Sequence, residues 1–140
     1  MVRLAGRAGT HAPALQVAAI AGGAVASASL GASALCAAAL SGRRGRDETT
    51  AATLHRRGFQ AGGPVHGAGF GVLCGALGLA GLRTGDLPRP VAVTALASAA
   101  AGLLSPLYFV ARPAGWLIPG GRFPGLIVSG IAGVRLSRGR

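Results

Sequence analysis

AGGPVHGAGFGVLCGALGLAGL, residues 61–82, contains no Asp, Glu, Lys or Arg and sets Gly63, Gly67, Gly71 and Gly75 at every fourth position. In water such a helix would be poor, because each interior Gly costs ~1 kcal/mol relative to Ala. In lipid the backbone has only itself to bond to, so helix is compelled, and a glycine face lets a second helix approach closely. The stretch therefore reads as a membrane-spanning helix whose four spaced glycines form its packing face. Gly69, roughly 200° round the helix from Gly71, is expected to face lipid.

The rest of the chain agrees with that environment. Of its 140 residues 51% are hydrophobic and 12% charged, and the mean hydropathy is +0.53. The charged share is about half that of a soluble domain. Residues 8–42, 58–82 and 90–111 carry no Asp, Glu, Lys or Arg, and 123–134 forms a shorter fourth run. A span needs ~20 apolar residues, so the first three runs qualify by length. Arg122 and Arg135 bound the fourth run, and arginine side chains can snorkel outward from both ends of a short span.

The expected fold is all-α: one integral membrane domain, residues 1–140, built as a four-transmembrane-helix bundle. The spans are placed at about 13–40, 64–82, 90–110 and 121–137. Residues 41–58 are read as a basic connecting loop, with room for a short surface helix where Asp47 and Glu48 precede His55, Arg56 and Arg57, an order that suits a helix macrodipole. Other small-residue faces fall at Gly23, Ser27 and Gly31, at Thr94, Ser98 and Gly102, and at Gly121, Gly125, Ser129 and Gly133. Pro106 should bend or end the third helix. Tyr108 and Trp116 lie just beyond it and suit the headgroup level, so they join Arg122 and Arg135 as interfacial anchors.

A net charge of +11 raises the question of nucleic acid. Phosphate binding needs arginines clustered on one folded face, whereas here they occupy every connection between apolar runs. Anionic headgroups are the expected counter-charge, and no nucleic-acid partner is expected. With four spans the arginines divide seven to a side. The first loop carries five against two in the N-terminal tail, which favours a cytoplasmic loop with both termini outside.

Few residues here could carry chemistry. His66 is the sole imidazole within a span, one turn into the second helix, and an intramembrane ionisable group is a functional candidate by default. The bland reading, an interfacial or helix-bonding histidine, has greater weight, and on it His66→Gln should be nearly neutral. Cys36 and Cys74 differ in depth by ~10 Å or more along antiparallel helices, too far for a disulfide. No metal, cofactor or catalytic residue is expected: no carboxylate lies in a span, and no phosphate loop or catalytic triad pattern occurs. Transporters that move protons commonly use an intramembrane acid.

GRFPGLIVSGIAGVRLSRGR at residues 121–140, together with VHGAGF at 65–70, resembles the short multi-pass membrane proteins of unknown function common in GC-rich bacteria. The absence of Lys and Asn beside 30 Ala and 25 Gly fits that source. The resemblance brings no catalytic motif with it. The expected function is a structural or accessory membrane subunit of the cell membrane and not an enzyme. The alternative is a small transporter or channel subunit working as a homo-oligomer around the glycine face.

Overall fold

A computed structural model describes residues 12–41 and 48–137 of the chain. Among the described residues every regular element is helical: α1 (Ala12–Ser41), α2 (Glu48–Gln60), a π turn (Ala61–Val65), α3 (His66–Thr84), α4 (Arg89–Leu104) and α5 (Leu117–Ser137). Two short 3₁₀ turns, Ser105–Phe109 and Arg112–Trp116, join α4 to α5. Four helices are long and apolar enough to cross a membrane, with mean hydropathy between 1.3 and 1.6 over their best windows. Large apolar side chains point outward on several of them, among them Val17, Leu35, Val93, Phe123 and Ile127. Water would penalise so much exposed apolar surface. Lipid does not, and the chain is an all-α membrane protein with four such helices.

The spans lie close to their expected positions, with two corrections. The second helix does not begin at Pro64. It runs unbroken for 37 residues from Glu48 to Thr84, and most of the expected 41–58 loop is helix α2. A proline inside a helix lacks the N–H that would bond four residues back, and its ring crowds that carbonyl. The chain accommodates Pro64 by widening one turn, so that the His66 N–H reaches the Ala61 carbonyl five residues back. The fourth helix begins at Leu117 rather than 121, which puts Arg122 more than a turn inside it. Gly42, the basic tail and the arginines at 43, 44, 46, 138 and 140 lie outside the described residues.

At ~1.5 Å per residue the α2–α3 rod measures ~56 Å, nearly twice a ~30 Å hydrocarbon core. Only α3 is needed to cross, so α2 projects beyond the apolar layer, where Glu48 and Arg57 match its dipole. α3 ends on Gly85, whose φ of 71° is left-handed and whose N–H caps the Gly81 carbonyl at 3.0 Å. Glycine reaches that conformation without a Cβ clash. Pro88 and Pro90 then start α4, and Leu87 packs down against Gly81 to close the turn.

α3 is the centre of the bundle. Some 61% of the most apolar window of the α2–α3 rod is buried, against 11% for α1. α1 lies antiparallel on one side of α3, with Gly22 against Gly69 and Leu73. α4 lies antiparallel on the other side, with Gly102 against Gly67 and Gly71. α5 packs on α4 through Gly121 and on α3 through Gly125, which meets Phe70 and Cys74. The core between these helices is mainly alanine: Ala92, Ala95 and Ala132 are fully buried, with Leu15, Leu77, Leu87 and Val128 as its largest side chains. Lipid tails are as apolar as leucine, so such contacts are held by dispersion across close backbones rather than by escape from water.

Reporter fusions truncated after Arg57, Asp86, Arg112 and Arg140 should alternate in compartment, with 57 and 112 on one side. Matching signals after Arg112 and Arg140 would mean that α5 does not cross.

Candidate functional site

Where α1, α2 and the start of α5 meet, the structure leaves a cleft of ≈440 Å³. Glycine makes the room: Gly58, Gly62 and Gly63 line it without side chains. Gly58 also lets α1 in close, since a Cβ there would lie 3.1 Å from the Cβ of Cys36. Phe59 forms an apolar wall, tilted at 58° against Tyr108 with ring centres 5.2 Å apart. Ser33 and Cys36 enter from α1, His55 from α2, Ile118 and Arg122 from α5. Among the described residues no carboxylate lines the cleft, and Arg122, half-buried, makes no hydrogen bond or ion pair.

The spaced glycines divide between neighbours. A Cβ on Gly67 would strike the Ser105 hydroxyl at 2.6 Å, and one on Gly71 would lie 2.9 Å from both the Ala99 carbonyl and the Leu103 amide. Gly75 meets the Ala99 methyl at 3.4 Å. These three face the end of α4, the third span. Gly63 belongs elsewhere, against Phe59 and Ile118 at the cleft. Gly69 does not face lipid. Its Cβ would sit 2.8 Å from the Ala26 amide and 3.0 Å from the Gly22 carbonyl, because a central helix has neighbours on opposite sides.

The small-residue face of α1 is also displaced. Ser27 and Gly31 are exposed, while Leu15, Ala19, Gly22, Ala26 and Ser29 are buried. On α5 Gly121 and Gly125 are buried but Gly133 has nothing within 4 Å.

His66 is buried, not reaching headgroup water. Its Nδ1 lies 3.1 Å from the Ala26 carbonyl of α1, and since a carbonyl only accepts, Nδ1 carries the proton and donates. The ring stacks on Phe70 at 5.6 Å. Tyr108 is half-buried under Phe59, whereas Trp116 stands 82% exposed at the α4–α5 connection. Arg135 lies at the opposite end, where its guanidinium donates to the Asp86 carbonyl at 3.3 Å. Both cysteines are free thiols, Cys36 in the cleft and Cys74 buried beside Gly125.

Two of the buried hydroxyls turn onto backbone, and those of Ser98 and Ser129 have no partner among the described residues. Ser105 donates to the carbonyls of Pro64 or Gly102 at 3.0 and 2.7 Å, and Ser29 to Ala26 at 3.0 Å. Thr94 bonds Pro90 on its own helix. Ser98 is buried between α4 and α5 with no partner for its hydroxyl. His66, Thr94 and Ser98 are thus not assembled into one polar path. Among the described residues no three His, Cys, Asp or Glu side chains come together as a metal site would need. No known protein family, curated protein or solved structure matches the chain.

The cleft is what sequence reasoning missed. Its signal was present in Leu54, Gly58 and Ala61, a helical 4–3 spacing that carries α2 across the expected loop boundary into the glycine run.

His66 now has a measurable role. His66→Leu should lower stability by about 0.6–1.7 kcal/mol, the range of interhelical hydrogen bonds measured in membranes. His66→Asn, which sets an amide nitrogen near the Nδ1 position, should recover part of that loss. The earlier expectation for His66→Gln is revised accordingly, since a longer amide does not reproduce the Nδ1 geometry. Unchanged thermal unfolding of His66→Leu in the same detergent would show that the α1–α3 bond contributes nothing.

Proposed function

We propose that the protein is a multi-pass integral protein of the cell membrane that acts as a structural or accessory subunit and has no catalytic activity of its own. One observation supports this above the rest: the interior is filled by backbone. The α3–α4 seam is close enough that a single methyl on Gly102 would meet the Gly67 carbonyl at 2.5 Å. His66 and Ser105 are bonded to main-chain carbonyls rather than lined up along a route. Transport needs convergent polar or ionisable groups within the membrane, whereas His66 is turned to the Ala26 carbonyl of α1 and Thr94 to Pro90 of its own helix.

A homo-oligomeric transporter or channel subunit is the second reading. Outward glycines favour it, since Gly31, Gly130 and Gly133 have nothing within 4 Å and could seat a neighbouring helix. The two are separated by purification from the native membrane in mild detergent. An accessory subunit should elute in stoichiometric complex with a larger membrane protein and give no ion flux in vesicles. A pure homo-oligomer that conducts or exchanges protons would overturn the accessory reading.

A further inference from the structure

The cleft at the α1–α2–α5 junction poses an electrostatic problem. Arg122 stands half-buried on its wall. The surrounding side chains are largely apolar, including Leu30, Phe59 and Ile118, and no acid among the described residues lines the cleft. Taking a guanidinium partly out of water is costly unless an anion compensates it. Ile118 lies against Gly63, and Gly63 adjoins the start of the apolar α3 run. Arg122 follows one turn further in, and its side chain leans back toward the N-terminal end of α5, which brings the charged head to the edge of the hydrocarbon layer. Lipid phosphates lie just outside that edge, within reach of a snorkelling arginine.

Ser33 lines the same cleft from α1, and a Cβ on Gly62 would touch its hydroxyl at 2.6 Å. Leu30, one turn deeper on α1, is 38% exposed and leads out of the cleft toward the bilayer. The volume of ≈440 Å³ falls within the roughly 300–1,000 Å³ of small-molecule sites.

We propose that this cleft binds one anionic glycerophospholipid from the surrounding leaflet. Its phosphate sits on the Arg122 guanidinium and the Ser33 hydroxyl, and its acyl chains leave past Leu30 into the bilayer. Arginine suits the task because its planar fork matches two phosphate oxygens at once. Phe59 and Ile118 cover the glycerol region. The widened turn at Ala61–Val65, with glycines at 62 and 63, leaves the floor open for the headgroup.

Cys36 supplies a reporter that needs no substitution, because it lines the cleft while Cys74 is wholly buried. The full-length protein is stripped of lipid in an uncharged maltoside detergent and treated with N-ethylmaleimide, and modification of each thiol is followed by mass spectrometry. Phosphatidylglycerol at ten times its dissociation constant should slow Cys36 modification about tenfold, and phosphatidylcholine should not. Arg122→Gln should weaken binding about tenfold, leaving only about twofold slowing at the same lipid concentration. Arg135→Gln, which removes one charge outside the cleft, should leave it unchanged and so controls for general attraction to a basic protein. Equal protection by phosphatidylcholine would overturn the proposal, as would protection by inorganic phosphate alone. Loss of protection in both arginine variants would also count against it. So would Cys36–Cys36 cross-linking between copies in the absence of lipid, since a second copy would then fill the cleft.

Discussion

Gly102→Ala, the addition of one methyl group, is expected to destabilise the bundle by about 3 kcal/mol, at the upper end of typical overpacking. On an exposed helix the same change would be favourable by ~1 kcal/mol, because Ala is the better helix former. Here the new Cβ would stand 2.5 Å from the Gly67 carbonyl oxygen and 2.9 Å from the Gly71 Cα. Both obstacles are backbone, and neither can turn aside as a side chain can. α4 would have to move away from α3 along the whole seam, weakening the contacts of Ala92, Ala95 and Ala99 together. Gly133→Ala on α5, with nothing within 4 Å, is the matched control and should be neutral or slightly stabilising. The measurement is thermal unfolding of both variants in one detergent. If their midpoints coincide, the seam is looser than described.

Gly69→Leu should be comparably severe, at or above ~3 kcal/mol. Its Cβ would meet the Ala26 amide at 2.8 Å, the Val25 side chain at 2.9 Å and the Gly22 carbonyl at 3.0 Å, and three further carbons must follow. Displacing α1 there also pulls the Ala26 carbonyl from His66. Gly31→Leu, exposed on α1 with open space around it, should cost little. A Gly69→Leu variant as stable as Gly31→Leu would mean that α1 does not pack on this face of α3.

That second prediction reverses what the sequence suggested, and the reason is physical. Charge-free runs made the four helices legible, because lipid excludes ionised groups and the arginines mark each edge. Which glycine meets which neighbour was not legible. A residue opposite the packing face is lipid-facing only in a peripheral helix, and no local pattern says that α3 is central. Counting by fours also misplaced the face of α1 and the far end of that on α5, while Ser98 and Gly102 on α4 are buried as expected. Four residues turn the helix by 400°, so a strict four-residue stripe drifts round it. Contact between long antiparallel helices alternates steps of four and three. On α1 that alternation runs through Leu15, Ala19, Gly22, Ala26 and Ser29, and by Gly31 the four-step stripe had swung into the open. On α5 it runs through Gly121, Gly125, Val128 and Ala132. Arg122 was legible as a charge near a helix end, but the cleft that surrounds it needs α2 as a third wall, and Pro64 made that helix look as though it started later.

The dependence of α1 on α3 has a consequence for how the chain is made. α1 is rich in alanine, so its own insertion is weakly driven, and its bonding partner His66 lies 40 residues downstream of Ala26. At translation rates of roughly 5–20 residues per second, α1 waits about 2–8 s in the membrane before the helix that holds it has been synthesised. Throughout that interval its Gly22–Ala26 groove is open to any passing helix. Biogenesis of this protein therefore has a window of a few seconds in which a mispairing is fast and the correct pairing has not yet become available.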